Sequence, residues 1–424
     1  MKAMGPIPPD FIASAGGWLE LGGFPFDAFV AGQSTPVFTY DWSIAVRRIE
    51  RFRAAMPAEV RLHYAVKANP WEPIVQGMAS RCDGLDLASG GELEAVLAAG
   101  VRHIADEAVG ISRPSRSGPL ALSLAGPGKR DRELKLALDK GTTVHVESAG
   151  ELDRLLQLGA RSATAPQVGV RVNPPFGLKG SGMKMGGLAS PFGVDHDEVP
   201  RLVRQILASG AEWRGLHVYA GSQSLSAEAI IESQRTTVAL AGEIAEAAGE
   251  SPPEVNLGGG FGIPYFAGDK PLDVEAVGAA LGETLGSRPA ILRDTKFVIE
   301  LGRWLVGECG VYLTRVVERK VSRGKTFLVV DGGLHHMLAA SGNFGQLLRR
   351  NYPVAVAHRF GAEPEEEVSV VGCLCTPLDL LADEVLLPRA EVGDVIAIFC
   401  AGAYGLSASP TGFLSQSAAR EVLV

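Results

Sequence analysis

The sequence predicts an α/β protein, a (β/α)8 barrel followed by a C-terminal, mainly antiparallel β domain. Two features predict it. From about residue 36 to 299, short β-rich runs alternate with helical patterns, the order that parallel β/α units require. After about residue 300, strand-like pieces follow one another through turns with little helix between them.

The elements support this reading in order. VRLHYAVKAN reads as a strand reaching a loop, and GELEAVLAAG follows with apolar residues at helical spacing. TTVHVES is the next strand and AGELDRLLQLG its helix. QVGVRVNP, EWRGLHVYAGS, PPEVNLGGG and TKFVIELG are further strands. SAEAIIESQRTTVALAGEIAEAAGE is one of the long amphipathic segments between them. This many repeats favours a closed barrel over an open sheet. Beyond it, ECGVYLTRVVERKVSR, KTFLVVDGG, EVSVVGCLC and GDVIAIFCAGA form the β domain. The expected boundaries are 1–35, a segment packing with the β domain, then 36–299 for the barrel and 300–424 for the β domain.

Composition narrows the function. The 424 residues suit two domains, and 46% hydrophobic with 21% charged content suits a large core. A net charge of −8 without a basic stripe argues against nucleic acid. No stretch approaches the roughly 20 apolar residues of a membrane helix, and MKAMGPIPPDF lacks the apolar core of a secretory signal. Cys82, Cys309, Cys373, Cys375 and Cys400 show no disulfide spacing. A cytoplasmic protein without a metal is expected.

Four segments carry chemistry. HYAVKANP places Lys67 at a strand end, at the mouth of a barrel, where partial burial would suit a lysine that condenses with a carbonyl. A solvated strand end would read the same way. In NLGGGFG, Gly258, Gly259 and Gly260 follow a strand and would let backbone N–H groups approach a phosphate; a simple turn gives the same pattern. FVIELGRWLVG places Glu300 and Arg303 at a strand end, either facing a cofactor or pairing with each other. VVGCLCTPLDLL holds Cys375 and Asp379 four residues apart, with Cys373 on the same strand face as Cys375. Cysteine there suits a core, whereas a buried Asp379 needs a partner.

The order AVKAN, GLDLASGGEL, HVES, RVN, HVYAGSQ, GGGFG, ELGR, VVDGG, CTPLD and AGAYG, from roughly residue 35 to 407, resembles the fold-type III pyridoxal-phosphate (PLP) decarboxylases. These include the diaminopimelate, ornithine/lysine and arginine decarboxylases. The resemblance implies an alanine-racemase-like barrel plus a β domain, PLP as cofactor, and a homodimer with shared active sites acting on a small amino acid. It implies that Lys67 holds the cofactor and that Gly258, Gly259 and Gly260, with Ser222 and Tyr404, bind its phosphate. It places Glu300 at the pyridine nitrogen, Arg171 and Asp86 near the ring and the lysine, and Arg303 at the substrate. Cys375, as proton donor, and Asp379 would reach into the partner subunit's site.

Three departures bear on substrate. Tyr219 stands where the family has a ring-stacking histidine, with His217 two residues earlier on the same face. Thr376 follows Cys375 where the family carries an acid for a distal amine. SASPTGFLSQS replaces the usual tail, with Phe413 near the family tyrosine. Together with SGMKMGG, residues 181–187, these suggest that the substrate could instead be an amino acid tethered to a carrier protein. Two rival functions are a non-catalytic PLP-binding homologue, which the presence of Lys67 and Cys375 opposes, and an amino-acid racemase, which Glu300 opposes.

Overall fold

The computed structural model describes residues 1–26, 34–101, 120–178, 183–184, 186–187, 189–344, 346 and 349–424. Two compact units share them, one of residues 49–262 and 272–302, the other of residues 1–48, 263–271 and 303–424.

The first unit is the barrel. Its strands are β1 (Arg61–Ala65), β2 (Gly84–Leu87), β3 (Ala121–Leu124), β4 (Thr143–Val146), β5 (Gln167–Asn173), β6 (Glu212–Val218), β7 (Glu254–Asn256) and β8 (Lys296–Leu301). Each pairs in parallel with the next, and β8 pairs with β1 through Val298↔Arg61 to close the ring. Near-continuous runs of buried residues fit strands covered on both faces.

Helices start abruptly after these strands because the sequence supplies caps. Ser89 Oγ accepts the Glu92 N–H at 3.1 Å, and Glu92 reaches back to the Ala88 N–H at 2.7 Å. Ser148 and Glu151 repeat the device after β4, at 3.1 Å and 2.8 Å. On the helix Val199–Ser209, the buried Val199, Leu202, Val203 and Ile206 form one stripe at helical spacing.

The second unit is a mixed, mostly antiparallel sheet. Its strands are β9 (Gly310–Ser322), β10 (Lys325–Val330), β11 (Val354–Val356), β12 (Glu366–Val371), β13 (Leu380–Leu387) and β14 (Val395–Ile398), in the order β11-β14-β9-β10-β12-β13. The N-terminal strand Val37–Tyr40 pairs antiparallel with β9 and parallel with the C-terminal strand Arg420–Leu423. The fold class read from the sequence is therefore the one found. No helix among the described residues is long and apolar enough to cross a membrane.

Two local expectations change. Residues 372–378 form a turn rather than more strand, so Cys373 and Cys375 do not share a strand face. Of SGMKMGG, Ser181, Gly182 and Met185 lie outside the described residues, and the backbone of Lys184 pairs with Gly221.

Candidate active site

Barrel strands deliver polar groups at their C-terminal ends. β1 stops at Ala65, and a tight turn, Val66–Ala68, follows. Val66 and Ala68 are buried, so the turn is anchored on either side of Lys67, which is exposed. This corrects the expectation of a partly buried lysine. The chain has left the sheet by residue 67, and the turn lifts the side chain clear of the core. Lys67 Nζ lies 5.3 Å from the ring centre of the half-buried Tyr219.

Asp86, near the end of β2, accepts the Ser123 hydroxyl at Oδ1, and the same oxygen is 3.4 Å from His63 Nδ1. Its Oδ2 is buried without a hydrogen-bond partner. Burial opposes charge on His63, but Asp86, with Glu254 and Asp83, outweighs it and lifts the imidazole pKa to about 8. Gly84 makes room, because a Cβ there would meet the His63 ring.

After β7 the chain turns through Gly258, Gly259 and Gly260. Gly258 has φ +70° and Gly260 φ +79°, which side chains disfavour. A Cβ on Gly258 would lie 2.6 Å from the Val218 carbonyl oxygen, and one on Gly259 would run into the Glu300 carbonyl. The loop is thus glycine for close packing. Gly221–Ser222 forms a short strand against Met183–Lys184, with Ser222 half-buried.

Glu300, on β8, is 6% exposed. Asn256 Nδ2 donates to its Oε2 at 3.1 Å, and His217 Nε2 lies 3.1 Å from the same oxygen, off the line of the ring N–H. Burial favours the neutral acid, but His217, Lys67 and Arg171 together overcome it and hold Glu300 well below the usual carboxylate range. His217 is buried and meets Glu300.

The HVES segment was legible as a motif, but the roles of His145 and Glu147 were not. His145 stacks at a tilt, 4.9 Å from His217, and burial and that neighbour push its pKa well below the ordinary histidine value. Glu147 pairs with Arg171 at 2.9 Å; burial resists its ionisation, and Arg171 and Lys129 overcome this. His63 and Asn256 were missed too. The available signal was a polar residue within an apolar strand run, which requires a buried partner.

The second unit holds the remaining expected residues. The Arg303 guanidinium donates to Tyr265 Oη at 2.9 Å and stacks 4.7 Å from the ring centre of Tyr404. Burial pushes the Tyr265 phenol up to about 12. Cys375 is exposed and Thr376 half-buried. Asp379 is buried, and its two oxygens accept the backbone N–H groups of Leu334 at 2.6 Å and Leu374 at 2.8 Å. Burial raises its pKa. Gly333 and Gly372 crowd the same carboxylate. Phe413 is 44% exposed, in a tail whose residues 411–418 are all exposed.

PLP offers an aldehyde, a ring nitrogen and a phosphate. The barrel offers an accessible amine at Lys67, an ionised carboxylate at Glu300 and a loop of three glycines in which a phosphate would meet no Cβ. The residues present fit the cofactor.

Comparison with known proteins gives the same answer. The family model for the pyridoxal-dependent decarboxylase, pyridoxal binding domain, matches residues 43–307. The L-glutamyl-(BtrI acyl-carrier protein) decarboxylase of Niallia circulans is 34% identical over 397 residues, covering 92% of this chain and 88% of that protein. Diaminopimelate decarboxylase of Methanothermobacter thermautotrophicus is 31% identical over 427 residues, covering 98% and 92%. Among solved structures, diaminopimelate decarboxylase from M. jannaschii in complex with L-lysine superposes with a TM-score of 0.83 at 23% identity, covering 98% of this chain and 92% of the other. The Helicobacter pylori enzyme with L-lysine gives 0.80 at 24% identity, covering 94% of each. With an accessible lysine, a glycine cradle and an ionised carboxylate at the strand ends, and with this match across its length, the chain belongs to the pyridoxal-dependent decarboxylase family.

Proposed function

We propose that this decarboxylase acts on an amino acid whose distal end carries no free ammonium, with its α-carboxylate free and its side-chain carboxyl joined to a carrier protein. The observation that carries this reading is Asp379. It is buried, with each oxygen accepting a backbone N–H, and the residue after Cys375 is the uncharged Thr376. The turn 373–379 thus has no free carboxylate for a distal cation, and a site without that countercharge discriminates poorly for it. The Niallia circulans relative, by its name, uses a carrier-bound glutamyl group, which supports the same reading.

In this reading Lys67 binds the cofactor covalently. Gly258, Gly259, Gly260 and Ser222 would hold the phosphate, and Tyr219 would pack against the ring. When bound, PLP supplies a sink for the electron pair freed as the Cα–carboxylate bond breaks. Glu300 faces the ring nitrogen and, being ionised, keeps a proton there. Asp86 and Arg171 hold the charge balance around the lysine and ring. Arg303 has no carboxylate within ion-pair distance among the described residues, and so offers its guanidinium fork to a substrate anion or carbonyl. Cys375 delivers a thiol proton to Cα. Its exposure supports service to a second copy of the chain, in a homodimer with shared sites. Five free thiols, three of them buried, support a reducing, cytoplasmic setting.

The test is CO2 release by the PLP-loaded protein. Substrates are free meso-diaminopimelate, ornithine, lysine, arginine and glutamate, beside a γ-glutamyl-pantetheine thioester whose α-carboxylate is free, with Lys67→Ala as control. We expect kcat/KM at least about tenfold higher for the thioester. Faster turnover of free diaminopimelate would remove the tethered substrate and leave the decarboxylase. Release that persists in Lys67→Ala would remove the assignment of the cofactor lysine.

A further inference from the structure

Asn256 ends β7, is 2% exposed, and has two side-chain partners. Its Oδ1 accepts the Gly258 N–H at 2.8 Å, and its Nδ2 donates to Glu300 Oε2 at 3.1 Å. The orientation of the amide is forced. The Gly258 N–H needs an acceptor and the ionised Glu300 needs a donor, so only one of the two flip states serves both.

Backbone contacts reinforce the link. The Glu300 N–H donates to the Gly258 carbonyl at 2.9 Å, and Gly259 packs so closely that a Cβ would strike the Glu300 carbonyl. His217 reaches the same Oε2 from another side. Oε2 is therefore held, and among the described residues Oε1 is the oxygen left to meet a ligand.

We propose that Asn256 is a positioning residue joining the glycine loop and Glu300 into one unit, so that a phosphate seated in the loop fixes the carboxylate oxygen presented to the pyridine nitrogen. This rests on reading Gly258, Gly259 and Gly260 as the phosphate seat and Glu300 as the ring partner. Both bonds of the amide are out of water, so solvent does not replace either one when it is lost.

A double-mutant cycle on cofactor binding tests it, with Asn256→Ala and Glu300→Gln made singly and together. The readout is the dissociation constant for PLP. Glu300→Gln should weaken binding about tenfold in the otherwise natural chain, the effect of losing a charge-assisted contact. It should weaken binding less than about twofold once Asn256 is alanine. Losses that multiply independently would overturn the proposal.

Asn256→Asp covers the case in which alanine fails to fold. It keeps the shape and the acceptor for Gly258 but sets an oxygen against Glu300. A second carboxylate beside Glu300 holds protons more tightly, so the pH midpoint of the bound cofactor's absorbance should rise by about one unit. An unchanged midpoint would overturn the proposal. Borohydride trapping separates the two levels: no trapped cofactor on Lys67 in the natural chain removes the underlying reading as well. Normal trapping with independent losses removes the role of Asn256 alone.

Discussion

In the barrel, His63, His145, His217, Glu147, Arg171 and Glu300 are buried, and most of them meet another polar side chain. In the β unit, Cys375 and Phe413 are exposed, and the buried Asp379 answers only the backbone. The difference lies in what fixes each group. Barrel side chains are held by one another before any ligand arrives, so their charges are oriented in advance. The reagents of the β unit are placed by a turn, and their surroundings must come from something that binds there.

The largest test of that contrast is Cys375→Ala. We expect kcat to fall by about 10²–10³ through loss of the proton donor, with cofactor affinity and melting temperature unchanged. A drop in cofactor affinity would place Cys375 with the pre-oriented set and break the comparison. Next is Asp379→Ala, which leaves two backbone N–H groups without an acceptor. Unfolding free energy should fall by about 2–4 kcal/mol, read from the denaturant midpoint at constant slope. An unchanged midpoint would mean that the carboxylate is free for substrate after all.

The smallest effect concerns His63, whose folded pKa of about 8 lies above the ordinary histidine value. A group raised on folding stabilises fully below its unfolded pKa of about 6.5 and loses that contribution as pH rises through 8. The difference is roughly 2 kcal/mol between pH 6 and pH 9. Asp86→Asn should flatten this slope, and urea unfolding at the two pH values measures it. A slope that survives Asp86→Asn would move the stabilising charge elsewhere.

Much of the barrel was legible because its chemistry sits at strand ends. Lys67, the glycines 258–260 and Glu300 each follow or close an apolar run, and the structure brings the loop and Glu300 into direct contact. The buried support was less visible. His63, His145 and His217 each lie in the buried stretch of a β run, and local pattern does not reveal that other strands set His63 beside Asp86, His217 beside Glu300 and His145 beside His217. Asn256 looked like a strand end, because its two partners lie two and 44 residues away. In the β unit, strand propensity carried the reading past Val371, where a turn held by Asp379 takes over. The strand Leu380–Leu387 went unread behind it.

The Asp379 staple carries the path of the turn, to which Thr376 Oγ1 adds one longer bond, accepting the Leu378 N–H at 3.3 Å. The turn keeps its path through carboxylate-to-backbone bonds at 2.6 Å and 2.8 Å that do not involve the side chain of Thr376. A residue in such a place exchanges most easily for another acceptor, hydroxyl or acid, because an apolar group would leave the Leu378 N–H without its side-chain partner. Charge at position 376 is then separable from the fold of the turn, for exchanges that keep an acceptor there.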